Sequence, residues 1–482
     1  MLIKKSINTI IILFMLLSNI VIAQKQGNIW LFGEGAGLNF NSGNPIPISG
    51  GQVYGMPTQV GDYPYDEGCT SISDSSGNLL FYSNGMRVWN KFHQIMPNGD
   101  SLKGFTSSSS AAFAIPKPTS DSLFYLFTTD GIERKLGNGL RYSIINMCLD
   151  NGKGDVKKSQ KNILLLDTVS EKLCAITHPN GTDVWLIAHK YHSSLFYAYL
   201  ITPSGINAPI ITNIGSIHSA TSFSTFGAAI GQMKASSNGS LIGLVYSNVT
   251  PSAIELFNFN PTSGVLSNSI SLTPAFNECG IEFSPNNSKL YVSSLQGIHQ
   301  FDLSVFNQTA INATKVQIST AGASPSYLQL ANNNKIYCTR GNNKLSVINN
   351  PNSLGSACNF SLDAISVGTA TRCTSLPLYF AGYTYKNKLV GCPVSETTIN
   401  EFEFSDFSVY PNPSSGQITI KQFDNTQTAD KIEIYNTVGQ LVFSKQIHSM
   451  TETINLELSK GLYFYSIKYF AGRRFRNKLI IE

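Results

Sequence analysis

One pattern recurs along this chain and limits what it can become: an apolar run, a short polar turn, and a second apolar run. Ile281 to Ser294, IEFSPNNSKLYVSS, is the clearest copy, with Ser284-Pro285-Asn286-Asn287 as the turn. Such a segment reads as a β-hairpin, because turn residues interrupt two β-branched and aromatic runs. Six copies have turns centred on Gly77, Asp121, Gly181, Gly239, Asn287 and Asn333, at intervals of 44, 60, 58, 48 and 46 residues. Most continue into a further strand-like run, such as Ala253 to Phe259 or Ile298 to Leu303. A unit of three or four antiparallel strands cannot cover both of its faces or its edges alone. Repeated at this spacing, it predicts blades stacked around an axis, a β-propeller. No helical period of useful length interrupts the pattern.

The ring must close. Asn28 to Gly33 and Gly37 to Phe40 form a hairpin-like pair before the first full unit, while Leu378 to Phe380 and Tyr383 to Tyr385 follow the last. Pairing these ends in one composite blade gives seven. Six or eight blades, and a β-sandwich or solenoid, are the rival arrangements.

Resemblance adds to this. FSPNNSKLYVSS resembles the strand-turn-strand of YVTN and TolB-type propellers, and NIWLFGEGAGLNFNSGNP with the following GCTSISDSSGNLLFYSNG resembles the propeller region of exported Bacteroidetes proteins. The likeness spans about residues 27 to 385 and implies a fold rather than an activity.

The composition breaks after Tyr385. Residues 386–403 read as a linker, and 404–482 as a small Ig-like antiparallel sandwich with period-two pairs such as Ile432 and Ile434, Leu441 and Phe443, and Leu479 and Ile481. Tyr410-Pro411-Asn412-Pro413, Gly416, Gly439, Gly461, Tyr463 and Lys478 resemble, in order and position, the type A C-terminal sorting domain of type IX secretion cargo. Asn436 stands where an Asp is usual and Gln440 where an Arg is common. The resemblance implies recognition by the type IX secretion machinery, passage through the outer membrane, removal of this domain, and attachment of the remainder to surface lipopolysaccharide. Arg473, Arg474, Arg476 and Lys478 form the one basic cluster, read as a solvated turn.

The N-terminus is consistent with that route. Lys4 and Lys5, the apolar run from Ile7 to Ile22 and the Ala23/Gln24 junction describe a signal peptide over residues 1–23, leaving 24–385 for the propeller. The run is diluted by Asn8, Thr9, Ser18 and Asn19 and is short of the roughly 20 residues that a span needs. Loss of Lys4 and Lys5 leaves only three more basic than acidic residues, so no electrostatic footprint for nucleic acid exists. Charged residues are 13% of the chain, and Ser, Asn, Thr and Gly carry the surface instead.

Eight cysteines permit four disulfides in an exported chain, and Cys358, Cys373 and Cys392 look like local stapling. Buried thiols are the alternative. No Cys-x-x-Cys occurs, so no structural metal or cofactor is indicated. Asp150 to Asp155, DNGKGD, has the flavour of a calcium loop without its carboxylate spacing or closing Glu, and reads as a blade connection. His189 and His192 flank Tyr191 without a further ligand beside them, and read as rim histidines. Glu34, Asp62, Asp66 and Glu67 lie in Gly- and Tyr-rich stretches where paired carboxylates could serve a glycan. Tyr54, Tyr63, Tyr65, Trp89 and Phe92 are candidate anchors for a glycan or protein ligand, with blade packing the simpler role for Trp89. No GxSxG, HExxH or P-loop motif occurs. The sequence thus predicts an exported surface or secreted propeller with a binding or adhesive face. The alternative is a polysaccharide hydrolase or lyase whose residues gather at the axial mouth.

Overall fold

The computed structural model describes residues 25–33, 35–49, 67–219, 227–246, 253–274, 279–320, 327–368, 373, 375–380, 407–422, 429–469 and 474–482. The leader with Ala23 and Gln24, linker 386–403, Glu34, Asp62, Asp66, Tyr54, Tyr63, Tyr65, Tyr383 to Tyr385, Cys392 and Arg473 lie outside them. The chain divides into two units, residues 1–393 and 394–482.

The first unit is a seven-bladed β-propeller. Its first blade holds Ile29–Phe32, Ala36–Asn39 and Ile46–Ser49, and the second holds Thr70–Ser73, Leu79–Ser83 and Val88–Asn90. The third begins at Ala112–Pro116, the fourth at Val169–Thr177, the fifth at Met233–Ala235, the sixth at Gly280–Phe283 and the seventh at Leu328–Leu330. Each of these five is a fully antiparallel sheet of four or five strands. The single α-helix among the described residues, Gln308–Ala313, sits in the outer connection of the sixth blade.

Period-two alternation explains why the strands read as continuous apolar runs. Phe113 and Ile115 pack into a cluster with Leu173, Ala175 and Leu186 of the fourth blade, whereas Ala112 and Ala114 pack with Ile72, Phe81 and Val88 of the second. In the fourth blade, Cys174, Ile176 and Ile187 face the fifth blade instead, against Met233, Ile242 and Phe257. These inner and middle strands therefore split their side chains between two interfaces, and both of their faces are buried.

The turns repeat one solution. Asn286 Oδ1 accepts from Ser284 Oγ, Ser288 N and Ser288 Oγ, and Asn238 Oδ1 accepts from Ser236 Oγ, Ser240 N and Ser240 Oγ. An Asx side chain thus holds each hairpin without needing a partner elsewhere.

Ring closure runs through the segment after the seventh blade. Cys373 exchanges backbone bonds with Gly341 and Asn342 of that blade at 3.1 and 3.0 Å. Leu378 N then donates to Cys69 O at 2.7 Å, and Thr70 Oγ1 donates to Leu378 O at 2.8 Å. Leu378 and Phe380 join the cluster of the third and fourth blades, and the Tyr379 ring lies where a Cβ on Gly27 would stand. Residues 375–380 therefore run from the seventh blade past the first, where Leu376 packs with Ile29–Phe32, to the inner strand of the second. The seventh and first blades meet through Tyr337, Leu345 and Val347 against Trp30, Leu38 and Phe40.

The second unit is a two-sheet sandwich. Phe407–Tyr410, Gln417–Gln422 and Thr451–Asn455 form one sheet; Leu441–Gln446, Ala429–Tyr435, Gly461–Tyr469 and Arg474–Ile481 form the other. Ile418, Ile432, Ile434, Ile454, Ile467 and Leu479 fill the core. Leu441 departs from its expected inward role: it lies on an edge strand and is exposed. The stapling expected of Cys358 is also not seen, because Cys358 is a buried free thiol in the cluster of the sixth and seventh blades.

If the clasp closes the ring, Leu378→Ala should cost about 2–5 kcal/mol, the usual range for a truncated core leucine. Equilibrium denaturant melts of the full chain read this directly; a change under about 0.5 kcal/mol, typical of a surface site, would contradict the closure.

Candidate functional site

Five blades send polar groups to one place, which only the axis of a propeller allows. Glu67 precedes the inner strand of the second blade, and its backbone N donates to Thr106 O at 2.7 Å. Thr106 to Ser110 precede the inner strand of the third blade and are all buried. Glu171 and Lys172 lie in the inner strand of the fourth, within the stretch from Val169 to Leu173 where its register with Val184–Lys190 shifts. Such a bulge turns side chains out of the ladder. Ala228 to Ile230 lead into the fifth blade and Tyr327 into the seventh.

A chain of bonds links them. Tyr327 Oη lies 3.1 Å from Glu67 Oε2 and 3.1 Å from Ser109 Oγ. Ser109 donates to Glu171 Oε2 through N at 2.9 Å and Oγ at 3.2 Å, and its Oγ accepts from Gly231 N at 3.1 Å. Glu171 Oε1 accepts from Ile132 N at 2.9 Å, and Ser107 Oγ donates to Glu133 Oε1 at 2.8 Å. Lys172 is fully buried, and its Nζ donates to Ala228 O, Ala229 O and Ile230 O at 2.8, 2.7 and 2.9 Å. All three ammonium protons are thereby used on one connection.

Charge is out of balance here. Burial, followed by the nearby charges of Glu171 and Glu133, raises the Glu67 carboxyl from 4.5 to about 8; the Tyr327 hydroxyl opposes this only in part. Burial and Glu133 likewise raise Glu171, against the Ser109 and Ile132 amides and Lys172. Burial pulls Lys172 down. Glu67 thus holds its proton at neutral pH and can donate it, the condition for a general acid. Below this layer the axis is crossed by Gln232, which accepts from Ile281 N and Leu328 N, and by Lys234, 3.4 Å from Glu282. Leu378, Tyr379 and Phe380 line the cavity beneath it.

Of the expected candidates, Glu67 alone of its carboxylate group is described, and it is at the axis. His189 and His192 part ways. His189 is fully buried and stacks on His218, ring centroids 3.8 Å apart, whereas His192 packs on Tyr191 in a turn. His189 is therefore no rim histidine. Asp150 pairs with Lys153 at 3.4 Å, and Asp155 accepts from Asn98 N and Nδ2, both at 2.7 Å, so the two carboxylates serve separate partners. Among the described residues, no three or more His, Cys, Asp or Glu are arranged to hold a metal. Trp89 is buried and stacks on Tyr82; Phe92 is exposed beside Lys91. Sequence reading missed Ser109, Glu171, Lys172 and Tyr327. The signals were the hydroxyl run TSSSS abutting an apolar strand, and a Glu-Lys pair inside one.

In the second unit the YPNP segment clamps the last strand. Peptides Tyr410-Pro411 and Asn412-Pro413 are cis. Asn412 Nδ2 donates to Lys478 O, and Asn412 Oδ1 accepts from Ile480 N, both at 2.9 Å. Gly416 takes φ +108°, and its carbonyl accepts from Leu456 N. The two departures at Asn436 and Gln440 face each other: Asn436 Nδ2 donates to Gln440 Oε1 at 3.0 Å across the turn that Gly439 completes at φ +82°. A neutral pair thus stands where a charged one is common. Tyr463 Oη donates to Ser459 O at 2.8 Å.

Residues 408–482 match the family described as secretion system C-terminal sorting domain. The second unit is a secretion sorting domain. The chain is therefore secretion cargo. No curated protein matches it in sequence. Among solved structures it is similar to a periplasmic gluconolactonase of Pseudomonas aeruginosa, with 12% identity over 87% of this chain and 98% of that one, TM-score 0.36. A protein of unknown function from Desulfotomaculum acetoxidans matches at 10% identity over 76% and 90%, TM-score 0.35. Hydrazine synthase of Kuenenia stuttgartiensis matches at 10% over 61% and 98%, TM-score 0.33.

The axial carboxyl predicts a pH signature. A carboxyl at 4.5 when unfolded and about 8 when folded binds more protons in the fold, so its contribution falls as pH rises between those values. Glu67→Gln should remove that loss: thermal melts of the variant should decline less between about pH 5 and about pH 8 than those of the wild type. Lys172→Met should cost about 3–5 kcal/mol by stranding its buried partners. Parallel pH profiles for Glu67→Gln and wild type would contradict the protonated carboxyl.

Proposed function

We propose that this protein is type IX secretion cargo whose propeller acts on a polysaccharide at the axial mouth, as a hydrolase or lyase. The leader, cut at Ala23/Gln24, takes the chain across the inner membrane. The sorting domain then engages the secretion machinery and is removed, and the remainder stays on surface lipopolysaccharide or is released. What carries the catalytic reading is the convergence of Glu67, Tyr327, Ser109 and Glu171, with Glu67 holding a proton at neutral pH. A proton donor beside a glycosidic oxygen is the requirement of sugar-chain cleavage.

A second reading, a propeller that binds without turnover, is favoured by Glu171, whose two oxygens are both engaged by the fold. The exposed Phe92 beside Lys91 would suit such a binding face.

Two experiments test these claims. Deletion of residues 407–482 should leave the protein inside the cell envelope; its appearance on the surface or in the medium would refute the route. The secreted protein should depolymerise a member of a polysaccharide panel, and Glu67→Gln should slow it by about 10²–10⁴-fold. Retention on a polysaccharide column without turnover would replace the catalytic reading with the binding one.

A further inference from the structure

The fourth and fifth blades meet around a buried pair of histidines that the axial chemistry does not use. His189, in Val184–Lys190, and His218, at the end of Ile210–His218, are both fully buried. Their rings stack with centroids 3.8 Å apart and planes 24° apart. His218 Nε2 lies 3.3 Å from Glu255 Oε2 in the fifth blade, and Glu255 Oε1 accepts from Ser216 N and Oγ at 3.0 and 2.8 Å. Glu255 thus ties the end of the outer strand of the fourth blade to the fifth. The Tyr246 ring packs on His218, and Phe196 meets His189 edge-on.

The remaining ring nitrogens are the notable feature. His189 Nδ1, His189 Nε2 and His218 Nδ1 are buried with no partner among the described residues. The charged and titratable groups around the pair are Lys172, Glu255 and Tyr246, with Glu171 and Cys279 beyond Lys172. Glu255 is already engaged by His218 and Ser216. Any added proton would make a second buried cation beside Lys172, on a nitrogen with no acceptor among the described residues. Such a charge is costly without a partner.

We propose that the His189–His218 stack is an acid-sensitive latch: neutral, it holds residues 210–218 between the fourth and fifth blades, and protonation releases them. Residue 218 is followed by 219–230, whose last three carbonyls are the acceptors of Lys172 at the axis. Residues 210–218 also pack directly on Gly227–Ala229, so release would loosen the carbonyls that hold Lys172 beside Glu171. That consequence for a catalytic mouth rests on the reading above; the latch itself does not.

The sign follows from proton linkage. Burial and neighbouring positive charge hold both imidazoles below their ordinary value, so the unfolded or opened segment binds more protons than the closed one. The latch is at full strength above about pH 6.5, the ordinary histidine value, and weakens as pH falls below it. The axial glutamates have the opposite slope, so the two effects separate on titration.

Hydrogen exchange on the full chain, corrected for intrinsic rates, at about pH 7.5 and about pH 5, on either side of that value, tests the latch. Peptides covering 210–218 and 227–235 should lose protection by about tenfold or more at the lower pH, equivalent to roughly 1.4 kcal/mol, while the first and seventh blades keep theirs. His189→Phe combined with His218→Gln, which leaves no titrating ring in the stack, should keep those peptides protected at both values. If that variant does not fold at neutral pH, His189→Gln combined with His218→Gln replaces it. The proposal is overturned if the wild-type peptides stay protected, if protection is lost evenly around the ring, or if a folded non-titrating variant opens as the wild type does. Loss of turnover with the latch intact would count against the catalytic reading alone.

Discussion

Blades in this ring are apolar on both faces, so each depends on having a neighbour on each side. Phe113 and Ala112 are adjacent in one strand and serve different interfaces. A single open gap would expose two such faces and the inner backbone edges at once. Closure is therefore the constraint beneath everything else, and it rests on residues 375–380, which carry the chain from the seventh blade past the first to the inner strand of the second. The bonds from Leu378 to Cys69 and from Thr70 to Leu378 join residues about 300 positions apart, a costly loop to order and a reason for the clasp to be well packed.

A closed ring has a chemical consequence. It brings the starts of inner strands from five blades within hydrogen-bond reach, and the polar residues there must satisfy one another. Ser109 does most of this, bonded to Glu171, Gly231 and Tyr327. Three glutamates share the space with one buried lysine, whose protons are spent on carbonyls. The site resolves the excess by keeping a proton on Glu67. Between the fourth and fifth blades the imbalance has the opposite sign: His189 and His218 stay neutral beside Lys172. One end of the ring thus favours acid and one interface resists it, both because burial disfavours charge.

Much of the scaffold was legible because period and turn chemistry are local. Ser284 to Ser288 forms its turn from its own side chains, and the YPNP segment holds the last strand through the one side chain of Asn412. The site was less legible because its parts are far apart: Glu67 and Tyr327 touch across 260 positions. Sequence could offer only their local oddity, a serine run and a charged pair in an apolar strand. His189 was misjudged for the same reason. Its neighbour in sequence, His192, is not its neighbour in space; His218, on the outer strand of the fourth blade, is.

Ring closure holds a neutral carboxyl, that of Glu67, at the axis. Difference infrared spectroscopy of the full chain against Glu67→Gln reads that group directly. A protonated carboxyl C=O band should be present at neutral pH, be missing from the variant and titrate away near pH 8. A difference spectrum at neutral pH that shows only the loss of a carboxylate band would contradict it.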